Sequence, residues 1–276
     1  MAAGTLNKRS EPNFTETYIN ILKIGLIYPK NRIIVLQLNN SVSSRWSTIQ
    51  KSNCKSQKIS WTSINTMLNK EHHLLVPFLN VPWRKYTFKE IKKISKKSSE
   101  SYIYNTLKKF VKEKILLAEK AGNVTLYSLY LSSPKTQSYI GFVAEHLAWK
   151  KLSLPFKNIQ KITSKIPTYF YILFITGSYA KNTQKITSDL DLVLIIDDSQ
   201  DTKKIYAQLR FDCEMSLPLI HLYVFKKSEF IEMLLNNQPN YGKEIVKNNL
   251  LLHGGEVYYN ILQEVIDHGF NDKNLS

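Results

Sequence analysis

Two aspartates one residue apart, Asp189 and Asp191, open the apolar run LDLVLII. In a strand, residues i and i+2 project from the same face, so both carboxylates point one way. Such a pair resists joint ionisation unless a cation lies between them. Hard oxygen donors of this kind suit Mg²⁺, which commonly binds one or two carboxylates together with substrate phosphates. Upstream, Gly177-Ser178 follows a second apolar run, FYILFI. A glycine lacks Cβ, and free backbone N–H groups at a helix start form a docking place for phosphate. Asp-x-Asp alone or Gly-Ser alone is a common surface feature. Their combination predicts a site where a metal-bound phosphate docks.

The elements that must position these groups are legible in the apolar runs. Phe170–Ile175 and Leu190–Ile196 are β-branched or aromatic and too short for helices, which predicts two buried strands. Ten residues separate Ser178 from Asp189. Strand, Gly-Ser, ten residues, Asp-x-Asp, strand resembles the signature of the minimal nucleotidyltransferases of the DNA polymerase beta superfamily. The resemblance rests on Gly177, Ser178, Asp189 and Asp191, with Ser188 before the first carboxylate.

The resemblance implies transfer of a nucleoside monophosphate from an NTP, with ATP the expected donor, to a hydroxyl, releasing pyrophosphate. It implies Mg²⁺ as cofactor, held by Asp189 and Asp191 as the catalytic carboxylates. Gly177 and Ser178 would bind the β- and γ-phosphates, and Lys181 would reach the triphosphate. It also implies a third carboxylate on the next strand. That strand is predicted at Leu219–Phe225 (LIHLYVF), which carries His221 and no Asp or Glu. Imidazole is a poor Mg²⁺ ligand, but it can act as a general base near neutral pH. Asp212 and Glu214, just before the strand, are the alternative acids. The antitoxin branch of the resembled family further implies a protein acceptor, a partner toxin.

Length and composition set the frame. A chain of 276 residues predicts about two domains. Its net charge of +16 points to an anionic partner, nucleotide or nucleic acid, unless the lysines only solvate the surface. Two cysteines, Cys54 and Cys213, make no disulfide framework, so a reducing cytoplasm is expected. No apolar run reaches about 18 residues, which excludes a membrane-spanning helix.

Residues 1–66 read as a basic N-terminal extension without chemistry, carrying nine Lys or Arg against two Glu. Tyr18–Tyr28 has a short helical pattern and Ile33–Leu38 a strand pattern. Two readings stay open: a flexible basic arm, or residues ahead of a true start at Met67. Residues 67–132 contain a helical pattern at Leu74, Leu75, Phe78 and Leu79, closed by Pro82. Thr87 with Glu90 then forms a capping box, and Ile91 and Ile94 are expected to face inward. Ser98 or Ser99 caps a second helix with the stripe Tyr102, Ile103, Leu107, Phe110 and Val111. Leu116–Lys120 and Val124–Leu129 read as a hairpin turning at Ala121, Gly122 and Asn123. This order resembles a winged helix-turn-helix.

In that family the second helix enters the major groove. The resemblance would place Lys92, Lys93, Lys96, Lys97, Lys108 and Lys109 on phosphates, and Ser99, Ser101 and Asn105 near base edges. Residues 133–158 are expected to form a linker helix, and 159–276 the transferase domain with a small mixed sheet and C-terminal helices. The expected class is α+β. Two functions follow: a Mg²⁺-dependent nucleotidyltransferase with an attached nucleic-acid-binding module, or a DNA-binding regulator whose transferase-like domain senses nucleotide or mediates dimerisation. Homodimerisation fits either.

Overall fold

The computed structural model describes residues 70–275. The extension, its two short patterns and Met67 lie outside the described residues. A 3-10 segment, Lys70–Phe78, opens the described chain. It stands where helical spacing is expected, and Pro77 within it removes a backbone donor that an α-helix needs. A short strand β1 (Tyr86–Thr87) leads into α1 (Phe88–Ser95). Thr87 and Glu90 form the reciprocal capping box that their spacing predicts. Ile91 is fully buried, whereas Ile94 is 42% exposed, against expectation. The eight-residue α1 buries only Ile91 and Ser95, four apart, and Lys96 ends it in the left-handed region.

Ser99 caps α2 (Glu100–Lys112) by accepting from Tyr102 N–H. Ile103, Leu107 and Phe110 are its buried stripe. Then β2 (Leu116–Ala121) and β3 (Val124–Leu129) pair antiparallel, with β1 on the outer side of β3.

α3 (Pro134–Trp149) and α4 (Phe156–Thr163) precede the second sheet. Its strands are β4 (Tyr171–Ile175), β5 (Leu190–Ile196), β6 (Ile220–Lys226) and β7 (Leu250–His253), in the order β6-β5-β4-β7. β5 and β6 run parallel, and the other pairs are antiparallel, so this small sheet is mixed. The connecting helices are α5 (Gly177–Lys181), α6 (Thr202–Glu214), α7 (Lys227–Leu235) and α8 (Tyr241–Lys247). α9 (Gly255–Asp267) follows the last strand.

Period-two alternation sorts the strands between two apolar cores. Ile172, Phe174, Val193 and Ile195 pack on one side, with α9, α3 and the helices of the first module. Leu173, Ile175, Leu192 and Leu194 pack on the other, against Ile159 and Ile162 of α4 and Ile205 and Leu209 of α6. The first core runs without interruption from Leu74 through α2 and α3 to Val265. α3 and α9 approach closely at Gly141 and Gly255: a Cβ on either would lie 2.5 Å from the other's backbone. Tyr259 of α9 also donates its hydroxyl to the Leu79 carbonyl at 2.8 Å. Among the described residues, no helix is long and apolar enough to cross a membrane.

Candidate functional site

The site is built where β4 ends and β5 begins. Thr176 donates its N–H to the Asp191 carbonyl at 3.0 Å, which ties the two strand ends together. Gly177 then takes φ +63°, the left-handed region that favours glycine. The one-turn helix α5 follows, and Asn182 ends it, also left-handed. Lys185 and Ser188 close a turn through Ser188 N–H to the Lys185 carbonyl and Lys185 N–H to Ser188 Oγ. That turn delivers Asp189 to the start of β5.

Asp191 lies directly against the glycine. A Cβ built on Gly177 would fall 2.0 Å from Asp191 Oδ2. Asp191 pairs in register with His221 on the parallel strand β6. The His221 ring bridges the carboxylates: Nε2 is 3.7 Å from Asp189 Oδ2, and Nδ1 is 3.7 Å from Asp191 Oδ1. These are ion-pair distances, longer than a hydrogen bond. Burial pushes the Asp191 carboxyl up, and Asp189 adds to the rise, while His221 opposes it.

Asp189, Asp191 and His221, expected together from sequence, thus meet, with Gly177 against Asp191. Ser178 is half-buried in α5, and Lys181 ends that helix exposed to solvent. The alternative third acids point elsewhere. Asp212 is buried in α6 and held by Lys161 and Lys165 of the α4 region. Glu214 pairs with Arg210 one turn away.

Sequence reasoning missed an aromatic support beneath the bend. Tyr241 Oη and Thr176 Oγ1 are hydrogen-bonded at 3.0 Å. The Tyr241 ring packs 4.9 Å from the ring of Tyr223, two residues beyond His221. Burial drives the Tyr241 hydroxyl up to about 12, with Asp191 and Tyr223 contributing and the Thr176 bond opposing. Lys151 was missed as well: its Nζ donates to the carbonyls of Tyr179 and Ala180 at 3.4 and 3.5 Å. Tyr241 lies 50 residues past Asp191 in a short helix, and no spacing rule links them.

The donor set fits a hard cation in part. Two carboxylates share one side of a bend with no Cβ between bend and carboxylate, and burial of Asp191 disfavours its charge without a counter-ion. Among the described residues, no cluster of three or more His, Cys, Asp or Glu could hold a metal ion. Asp189 and Asp191 would be the protein's ligands to such a cation, with the remaining donors supplied by phosphate or water oxygens.

The residues expected to meet nucleic acid divide into two groups. Lys92 pairs with Glu100, Lys109 pairs with Glu71, and Ser99 is spent as an N-cap. Ser101, Asn105 and Lys108 lie exposed at helical spacing along one face of α2, and Lys93 and Lys96 are exposed on the adjoining α1 end. Lys97 is half-buried in the turn between these helices.

Comparison with known proteins places this site in a recognised sequence region. Residues 159–253 match the family model of the nucleotidyltransferase domain. Among solved structures, the crystal structure of a toxin–antitoxin with AMP-PNP is similar over 42% of this chain and 86% of that chain, at 16% identity and a TM-score of 0.32. No curated protein matches the chain.

Proposed function

We propose that the chain transfers a nucleoside monophosphate, AMP from ATP, to a hydroxyl acceptor on a protein. The observation that carries this reading is Asp189 and Asp191 meeting at His221, with Asp191 against Gly177, within a stretch that matches the nucleotidyltransferase domain. The backbone N–H groups of Gly177 and Ser178 hold the β- and γ-phosphates, and Lys181 screens their charge. Asp189 and Asp191 would hold Mg²⁺, which supplies a Lewis acid against the phosphoryl oxygens when bound. His221 takes the place of a third carboxylate and receives the acceptor's proton. The acceptor oxygen then bonds to the α-phosphorus, and the bond from that phosphorus to the bridging oxygen of the β-phosphate breaks. Pyrophosphate leaves with the electron pair. Tyr241, through Thr176, keeps the bend in register with Asp191.

The test is transfer of label from α-³²P-ATP with Mg²⁺ to a protein acceptor in cell lysate, alongside calorimetric titration of ATP. Wild type should bind ATP and label protein, and Asp189→Ala/Asp191→Ala should do neither. Equal labelling by both would overturn the reading.

A second activity is favoured by the face of α2. Ser101, Asn105 and Lys108 form an exposed row on the second helix of a helix-turn-helix-hairpin order, and Lys93, Lys96 and Lys97 carry no ion pair among the described residues. This supports reading the module as a winged helix that binds DNA, with the lysines on phosphates. Gel-shift affinity that survives charge reversal of Lys93, Lys96, Lys97 and Lys108 would overturn it.

A further inference from the structure

β6 is the outer strand of the mixed sheet, and among the described residues only β5 pairs with it. The bond from Leu190 N–H to the Leu219 carbonyl sets the phase of this parallel ladder. In a parallel pair, alternate residues bond to the neighbour. Leu219, His221, Tyr223 and Phe225 therefore face β5, while Ile220, Leu222 and Val224 aim their N–H and C=O groups outward. Lys226 shares that outward phase, and its N–H is taken by Glu229 Oε2 at 2.8 Å. Among the described residues, no hydrogen bond satisfies the outward groups of Ile220, Leu222 and Val224. The opposite edge differs: Trp149 of α3 donates its indole N–H to the Leu252 carbonyl of β7 at 2.8 Å.

A groove follows the open edge. A cavity of about 320 Å³ lies along its Leu219–Tyr223 half and is lined by Tyr206, Arg210 and His221. A second, of about 510 Å³, lies along Val224 and Phe225 and is lined by Thr202, Glu229 and Glu232. Thr202, Tyr206 and Arg210 are spaced four apart, so one face of α6 walls both cavities.

We propose that this edge docks the acceptor: an extended polypeptide segment adds to β6 as a fifth strand and presents its hydroxyl beside His221. The proposal rests on the transfer reading above. Three observations select this occupant. Outward N–H and C=O groups at a two-residue repeat match extended backbone, the pattern of strand addition to an open edge. His221 lines the first cavity, so the edge groove reaches the strand residue that pairs in register with Asp191. Glu229 and Glu232 make the far end acidic within a chain of net charge +16, which fits a segment basic at that end. Neighbouring strands lie about 4.8 Å apart. A side chain of the added strand would therefore continue the row that runs from Asp191 to His221.

The experiment uses Val224→Pro, which deletes an outward N–H and leaves the β5 ladder whole; proline is tolerated at such edge positions. Glu232→Lys, at an exposed helical position, is the second variant. The probe is an array of short peptides with a central serine, threonine or tyrosine and randomised flanks, incubated with the full chain and labelled Mg-ATP. Wild type should bind and label peptides with a basic flank. Val224→Pro should weaken peptide binding about tenfold, Glu232→Lys should reverse the flank preference, and ATP affinity should stay unchanged in both. Absence of peptide binding, or binding indifferent to both variants, would overturn the proposal. So would a homodimer that Val224→Pro dissociates, because the edge would then be the subunit interface. Peptides bound through the edge but not labelled would uphold the docking and overturn the transfer reading.

Discussion

Asp191 Oδ2 lies 2.0 Å from where a Cβ at position 177 would fall, too close for any residue but glycine. The bend and the carboxylate are therefore one device. Gly177→Ala meets a steric overlap and a left-handed φ together. The conformation alone costs about 1–2 kcal/mol for a residue with Cβ. Urea unfolding should show at least that loss, and calorimetry should show ATP binding abolished. Retained ATP affinity would mean that Asp191 need not touch the bend.

The apo site should be stabilised by removing its own charge. Burial, with Asp189, raises the folded-state value of Asp191 above its ordinary 3.8. A raised carboxyl contributes stability at low pH that is lost as pH rises through the folded value. At neutral pH the ionised Asp191 is thus a cost that Asp191→Asn removes. The variant should melt higher than wild type near pH 7, with the gain vanishing below pH 3.8. It should also gain nothing from Mg-ATP. A lower melting temperature at pH 7 would contradict this account.

Asp212 should behave in the opposite sense. Lys165, then Lys161, hold its carboxyl below the ordinary 3.8. A depressed carboxyl contributes stability above its unfolded value that is lost as pH falls through the folded one. Asp212→Asn should therefore destabilise the fold at neutral pH and leave it little changed in strong acid. Acid titration of circular dichroism compares the two chains. Full transfer activity at permissive temperature is expected, since Asp212 lies away from the aspartate pair.

His221→Ala tests the proposed proton acceptor. Loss of a general base lowers rates by about 10²- to 10⁴-fold. Single-turnover labelling should fall in that range while ATP affinity holds, and raising the pH should recover part of the rate. An unchanged rate would move the base elsewhere.

Much of this was legible in the chain. The two central strands announced themselves as apolar runs, and Thr87 with Glu90 and Ser99 marked helix starts because capping is local chemistry. The aspartate pair and Gly177 could be placed because strand alternation is short-range. β7 was not legible: four residues, LLLH, are too few to separate strand from helix by period. Tyr241, Thr176 and Lys151 were missed because a long-range hydrogen bond leaves no trace in spacing. The salt bridges that occupy Lys92, Lys109 and Asp212 depend on which helix faces meet, which charge patterning alone does not determine.

The crossing of Gly141 over Gly255 bears on how this protein can be handled. Both glycines lie outside the matched stretch 159–253, as do the helices they bring together. An excised fragment of that stretch would bare Phe174 and Val193 to water and should aggregate. Any minimal version must keep α3 and α9, and activity lost on trimming would report a stripped sheet before it reported a missing catalytic group.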